Sequence, residues 1–400
     1  MTTLAGREVV LGVTGGIAAY KACEIIRELR KEGANVSVIL TASGSQFITP
    51  LTLQTLSKNP VHTDLFNLIS ESDIGHISLA QRANLLLIAP ATANIIGKIR
   101  HGIADDLLST VAMATTAPIL MAPAMNSDMY AAAAVRENME ALVERGVTFV
   151  EPGEGALACG TTGPGRLADT GKIIEMARIL LYDKILEGKK VVVSAGPTAE
   201  DIDPVRFITN RASGKMGFAM AVVARRFGAE VTLVTGPTRL PDPPFLKVER
   251  VRSAQEMGNA VAAAGENANA IVMAAAVADV RPAAPAARKI PKNELMEKID
   301  VVRTDDILAN LGELKRNRVL VGFAAETNDL EAKAREKMRK KNLDAIVAND
   351  VSRGDIGFDS DRNEVKVLFS DGTTLDLVKA SKDAIATAVW RAITVKFMRA

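Results

Sequence analysis

The sequence predicts two doubly wound α/β units in one chain. Three observations carry that prediction: short, continuously apolar strand-like runs, helical patterns between them, and a restart of the whole pattern midway. Apolar runs that do not alternate belong to parallel sheets covered on both faces.

In the first half the runs are Val9–Val13, Val36–Leu40, Leu85–Ala89 and Pro118–Met121, with a helix from Ile17 to Lys31. The second half opens after the charged stretch Asp183–Lys190, with runs at Val191–Val193, Val231–Val234, Ala270–Ala275, Val319–Phe323 and Ala345–Ala348. A helix is expected over Gly217–Phe227, and a hairpin from Val365–Leu368 and Thr374–Leu377. Gly228-Ala229-Glu230-Val231 repeats the pattern of Gly33-Ala34-Asn35-Val36, a helix exit into a second strand. Pro-rich loops fall at Arg239–Phe245 and Arg281–Lys292.

At 400 residues the chain has room for two domains of ordinary size. Lys plus Arg number 49 and Asp plus Glu 47, so charge makes no case for nucleic acid or an anionic membrane as partner. Aromatics at 4% weaken a single-strand stacking surface further. Two distant cysteines, Cys23 and Cys159, make neither a disulfide framework nor a zinc site. The first residues lack the basic and apolar regions of a signal peptide, and the apolar runs are too short to span a bilayer. A cytoplasmic protein is expected.

Open α/β sheets bind ligands at the carboxyl ends of their strands. There the first half places Thr14-Gly15-Gly16, Thr41-Ala42-Ser43, Pro90-Ala91-Thr92-Ala93-Asn94 and Pro123-Ala124-Met125-Asn126. Gly15 and Gly16 let backbone amides approach a phosphate, or simply make a tight turn. His76 alone reads as structural, and Cys159 as a small buried thiol, although its four-glycine loop suits an exposed flap. In the second half Ser213-Gly214-Lys215 opens a helix, which suggests anion binding. Lys289, Lys292, Lys337 and Lys341 are further candidates for phosphate charge, the last two also reading as a solvated helix face.

Taken together, Gly75-His76, Pro123 to Met129, Ala158-Cys159-Gly160, Asp203 to Gly217 and Gly322-Phe323-Ala324-Ala325-Glu326-Thr327 resemble one family over nearly the whole chain. It is the bifunctional phosphopantothenoylcysteine decarboxylase/phosphopantothenate–cysteine ligase of coenzyme A biosynthesis. A flavin prenyltransferase-like enzyme or a regulatory flavoprotein would lack the Cys159 flap, the Asn126 motif or the ligase stretch.

The resemblance implies a flavodoxin-like FMN domain, residues 1–183, and a Rossmann-like α/β ligase domain, residues 187–400. Its flavin contacts map onto Gly15, Gly16, Ile17, Ser43, Thr92, Asn94 and Asp105, with Thr92 where the family has Ser. Asn126 and Met129 would hold the phosphopantothenoyl part. His76 would assist the oxidative half, and Cys159 would return a proton. In the ligase, Asn210 and Lys289 would be catalytic, while Arg206, Ala275, Asp279, Lys289, Phe323, Lys337 and Lys341 would bind substrates. The substrates implied are 4′-phosphopantothenate, cysteine and a nucleoside triphosphate, CTP in bacterial members, with Mg²⁺. Two departures stand out: Val280 replaces a Tyr, and Pro291 a Lys, beside Asp279 and Lys289. Trimeric decarboxylase contacts and dimeric ligase contacts would close into a homo-oligomer, a dodecamer.

Overall fold

The structure, a computed structural model, describes residues 4–65, 75–156, 160, 162–291, 299–326, 329–350 and 360–398. The chain divides into two compact units, Met1–Tyr182 and Asp183–Ala400.

The first unit holds six parallel strands: β1 (Glu8–Val13), β2 (Asn35–Leu40), β3 (Val61–His62), β4 (Leu85–Ala91), β5 (Ile119–Pro123) and β6 (Thr148–Phe149). Their spatial order is β3-β2-β1-β4-β5-β6, so the sheet reverses direction between β1 and β4. Every residue of β4 is buried, as its unbroken apolar run requires. The helix expected from Ile17 starts instead as a 3₁₀ turn, Ile17–Lys21, and becomes α-helical over Ala22–Lys31. A small antiparallel hairpin follows the sheet, β7 (Gly153–Ala156) with β8 (Thr162–Arg166).

The second unit repeats the plan. Its strands are β9 (Lys190–Ala195), β10 (Ala199–Asp201), β11 (Phe207–Thr209), β12 (Glu230–Thr235), β13 (Lys247–Arg250), β14 (Ala270–Met273), β15 (Val280–Pro282), β16 (Val301–Arg303), β17 (Val319–Glu326), β18 (Ala345–Asp350), β19 (Arg362–Phe369) and β20 (Thr374–Ser381). The main sheet runs β13-β12-β9-β14-β17-β18-β19-β20, with the reversal between β9 and β14. It is parallel through β18, and the expected hairpin β19–β20 adds two antiparallel strands.

The repeated helix exits close alike. Gly33 N and Ala34 N donate to Arg30 O and Leu29 O; Gly228 N and Ala229 N donate to Arg225 O and Ala224 O. Both glycines sit at positive φ, +90° and +97°, where a Cβ is strained.

One face of the second sheet buries Met257, Val261, Leu308 and Met338 against Ile271 and Leu320. Elsewhere in the unit the helices Lys215–Arg226 and Lys382–Phe397 pack together, with buried Trp390 donating its indole N–H to Met220 O at 2.8 Å. β14 ends at Met273, two residues short of the expected run. Side-chain oxygens explain the exit, because Ala275 N bonds Ser194 Oγ and Ala278 N bonds Thr198 Oγ1. No described helix is long and apolar enough to cross a membrane.

Candidate functional site

In the first unit the predicted residues cluster at the carboxyl edge, around the β1/β4 reversal. Buried Thr14 spans it: its hydroxyl donates to Pro90 O at 2.7 Å and accepts from Thr92 N at 3.3 Å. Gly15 lies so close to Ser43 that a Cβ would collide with it. That contact joins the loops after β1 and β2 and makes glycine obligatory there. Gly16 opens toward Thr92, whose Cγ2 would stand 3.9 Å from an added Cβ.

Two helices start here without a side-chain cap, Ile17–Lys21 after Gly16 and Ala93–His101 after Thr92. Their leading amides are therefore available to an anion. Ile17 is 62% exposed, and Asn94 and Ser43 are exposed too. Asp105 pairs with Lys98 at 2.7 Å, beside Asp106, which caps Leu107–Ala114 through Ser109. Asp105 first, then Asp106, raise the pKa of the Lys98 ammonium. Burial would raise the Asp106 carboxyl, but Lys98 and the Ser109 amide and hydroxyl hold it below its ordinary value.

His76 is the second residue of the helix Gly75–Arg82, which leads into β4. Helices of such units run against the strands, so His76 also sits at the carboxyl edge.

Asn126 caps Ser127–Ala131, its Oδ1 accepting from Asp128 N at 2.8 Å, and leaves Met129 49% exposed. The β7–β8 hairpin is seated on this segment. Met125 N donates to Gly165 O at 2.9 Å, and a Cβ on Gly165 would strike Met125 O. A Cβ on Gly163 would come 2.8 Å from Ser127 Oγ. Cys159 falls in sequence between β7 and β8 and lies outside the described residues, as do Lys292 and Thr327.

In the second unit a cleft of about 940 Å³ opens at the carboxyl edge. It brings together Asn210, Ala275, Asp279, Phe323, Lys337 and Lys341, all predicted, with the Ser213-Gly214-Lys215 helix start. Asn210 Nδ2 donates to Ala276 O at 3.3 Å and Val277 O at 3.0 Å, at the β9/β14 reversal. Lys337 Nζ donates to Phe323 O at 3.1 Å.

Lys341 is no solvated lysine: it pairs with Asp306 at 2.7 Å. Asp306 in turn caps Ile307–Glu313 through Ala309 N. Burial would raise its carboxyl, but Lys341, the Ala309 amide and the charge of Lys337 hold it below the usual range.

Arg206 and Lys289 are not among the cleft-lining residues. Both belong to loops gathered by buried Asp203, which accepts from Val205 N, Arg206 N, Arg206 Nη1 and Ile290 N. Lys289 itself is exposed. Asp306 escaped the sequence reading, although Asp305-Asp306 before an apolar helix is a legible cap signal. Lys382 and Asn363 also line the cleft, and nothing local in the sequence marks them.

The flavoprotein family matches residues 1–181, and the DNA/pantothenate metabolism flavoprotein C-terminal domain family matches residues 186–396. The chain is 46% identical over 390 residues to the coenzyme A biosynthesis bifunctional protein CoaBC of Vibrio parahaemolyticus, covering 96% of this chain and 97% of the relative. It is 47% identical over 383 residues to the protein of that name in Bacillus subtilis, covering 95% and 94%. It is 47% identical over 378 residues to the one in Escherichia coli, covering 92% of each.

Proposed function

Since the chain belongs to the coenzyme A biosynthesis bifunctional family, which joins a flavoprotein decarboxylase to a ligase, we propose how the two activities divide along it. Residues 187–400 couple cysteine to 4′-phosphopantothenate with CTP. Residues 1–183 then convert the phosphopantothenoylcysteine to 4′-phosphopantetheine with FMN.

The observation that carries the reading is the single cleft collecting Asn210, Ala275, Asp279, Phe323, Lys337 and Lys341. A carboxylate is a poor electrophile. Its oxygen attacks the α-phosphorus of the nucleotide and expels pyrophosphate. The cysteine amine then attacks the acyl carbon and expels CMP. Lysines offset the gathered negative charge. Asn210 orients the acyl-nucleotide, and Arg206 and Lys289 serve from the Asp203-gathered loops. Mg²⁺ usually arrives on phosphates with one or two carboxylates, and exposed Asp279 and Asp305 line the cleft with suitable oxygens.

In the first domain the residues fit FMN: the Gly15–Ser43 close approach, the uncapped starts at Gly16 and Thr92, and open Ile17, Asn94 and Asp105. When bound, the flavin supplies the electron sink that decarboxylation next to an amide needs. Asn126 and Met129 hold the substrate, His76 assists the oxidative half, and the Cys159 thiol returns a proton. With an unperturbed pKa of ~8.5 a thiol is mostly protonated at neutral pH.

The enzyme works in the cytoplasm as a homo-oligomer with trimeric and dimeric contacts. Exposed Ile17, Tyr20, Phe47 and Leu51 on the first domain support the association.

The test is spectroscopic and kinetic. Purified protein should absorb near ~450 nm and lose that absorbance from the pellet on acid precipitation. Cys159→Ser should leave ligation intact and stall turnover after CO₂ is lost, before 4′-phosphopantetheine forms, with the absorbance bleached. Normal turnover to 4′-phosphopantetheine in that variant would overturn the proton-donor assignment.

A further inference from the structure

Among the described residues two buried side-chain oxygens have no hydrogen-bond partner, Ser127 Oγ and Thr394 Oγ1. Thr394 lies in the last turn of the helix Lys382–Phe397, at the far end from the cleft-lining Lys382. Ser127 stands in a different setting. It directly follows Asn126, and it opens the segment Ser127–Ala131 that also carries Met129.

The hairpin explains how a hydroxyl on so short a segment becomes buried. Tyr130 Oη donates to Glu151, just before β7, at 3.0 Å, and Met125 N donates to Gly165 O of β8 at 2.9 Å. With the hairpin so tied, Gly163 lies against Ser127, near enough that a Cβ on it would come 2.8 Å from Oγ. Glycine is what lets β8 approach this closely. It covers the hydroxyl without bonding it.

A hydroxyl donates one hydrogen bond and accepts up to two, and water serves it wherever it is exposed. Burial removes the water and here returns nothing. Native folds hold few such groups, and each one calls for a reason. Asn126 and Met129, which flank the hydroxyl in sequence, are the residues proposed to hold the substrate. A neutral hydroxyl cannot offset a buried charge, so its partner is neutral as well. The amides of the phosphopantothenoyl chain are such groups, whereas its phosphate and the cysteinyl carboxylate need cations.

We infer that Ser127 Oγ is a further substrate contact of the decarboxylase, hydrogen-bonding an amide of the phosphopantothenoyl chain. The inference rests on the decarboxylase reading of the first domain and adds a residue to its substrate site. A staggered rotation about the Ser127 Cα–Cβ bond turns the oxygen from Gly163 toward the chain. The hydroxyl therefore destabilises the protein without substrate and contributes binding once substrate arrives. A variant that lacks it shows these two effects with opposite signs.

The full-length holoprotein is made as Ser127→Ala. Its melting is followed at the flavin without substrate. Decarboxylation of supplied phosphopantothenoylcysteine gives kcat and KM, and ligation reports on the rest of the chain.

The melting temperature should rise by about 2–4 °C, because the unpartnered oxygen is gone. KM should rise about two- to tenfold with kcat kept within about twofold, the pattern for losing a neutral hydrogen bond made equally in the ground and transition states. Ligation should match the parent. An unchanged KM would overturn the contact and leave the hydroxyl to solvent. A fall in kcat at constant KM would overturn it too, and would assign Ser127 to seating the hairpin. A melting temperature that does not rise would remove the premise that the hydroxyl lacks a partner. A parent protein that releases no CO₂ from phosphopantothenoylcysteine would sink the decarboxylase reading, and this contact with it.

Discussion

Thr14 Oγ1 donates to Pro90 O at 2.7 Å, and this single hydroxyl joins the two strands between which the first sheet reverses. The same oxygen accepts from Thr92 N, so it sets the start of the helix Ala93–His101 as well. Thr14→Val keeps the shape and leaves a buried carbonyl and amide short of partners. Such a loss costs about 1–3 kcal/mol. Thermal melting should fall accordingly, and FMN should be released about tenfold more readily on dilution. Unchanged flavin retention would show that the bridge does not shape the site.

The β7–β8 hairpin, between whose strands Cys159 falls in sequence, depends on Gly165. That residue sits at φ +130° with its α-carbon against Met125 O, and both features exclude a side chain. Gly165→Ala should cut decarboxylation at least about tenfold, equivalent to ~1.4 kcal/mol, because the hairpin loses its seat beside Asn126. Ligation in the same preparation should be unaffected. A variant that decarboxylates normally would detach the hairpin's position from the reaction.

Asn210 and Lys289 are expected to share a phenotype for different structural reasons. Asn210→Ala and Lys289→Ala should each lower ligation by about 100-fold or more, the scale of losing a preorganised contact to developing charge. Decarboxylation of supplied phosphopantothenoylcysteine should stay normal in both. Only Asn210→Ala should also lower the melting temperature, since its amide ties down the carbonyls of Ala276 and Val277 while Lys289 is exposed. Normal ligation in Lys289→Ala would remove that residue from the site.

Asp306 gives the second domain a definite acid response. Its carboxyl is held below the ordinary aspartate value, so the unfolded chain takes up the proton first as pH falls. The stabilisation is complete above about pH 4, near the unperturbed aspartate value, and is lost as pH drops through the depressed folded value. Asp306→Asn removes that charge at every pH. Melting curves from pH 3 to 7 should show the parent losing more stability on acidification than the variant. Parallel curves would mean that the Lys341 pair contributes nothing.

The strands, their parallel character and the restart midway were legible in the sequence because hydrophobic runs and helix exits are local signals. Val9–Val13 and Val191–Val193 announce first strands, and Gly33 and Gly228 announce helix ends, without reference to distant residues. Family motifs likewise marked Asn126 and Asn210. What the tertiary structure alone decided is who meets whom. Lys341 looked like a solvated lysine until folding set Asp306 beside it. Lys289 looked central, yet its loop stands off the cleft lining, held by Asp203. Lys382 and Asn363 carried no signal, because a helix start and a strand start become one wall only when β20 returns along β19 to the sheet edge. Periodicity is set by neighbours a few residues apart, whereas a site is set by strand order, and strand order is a property of the whole packed chain.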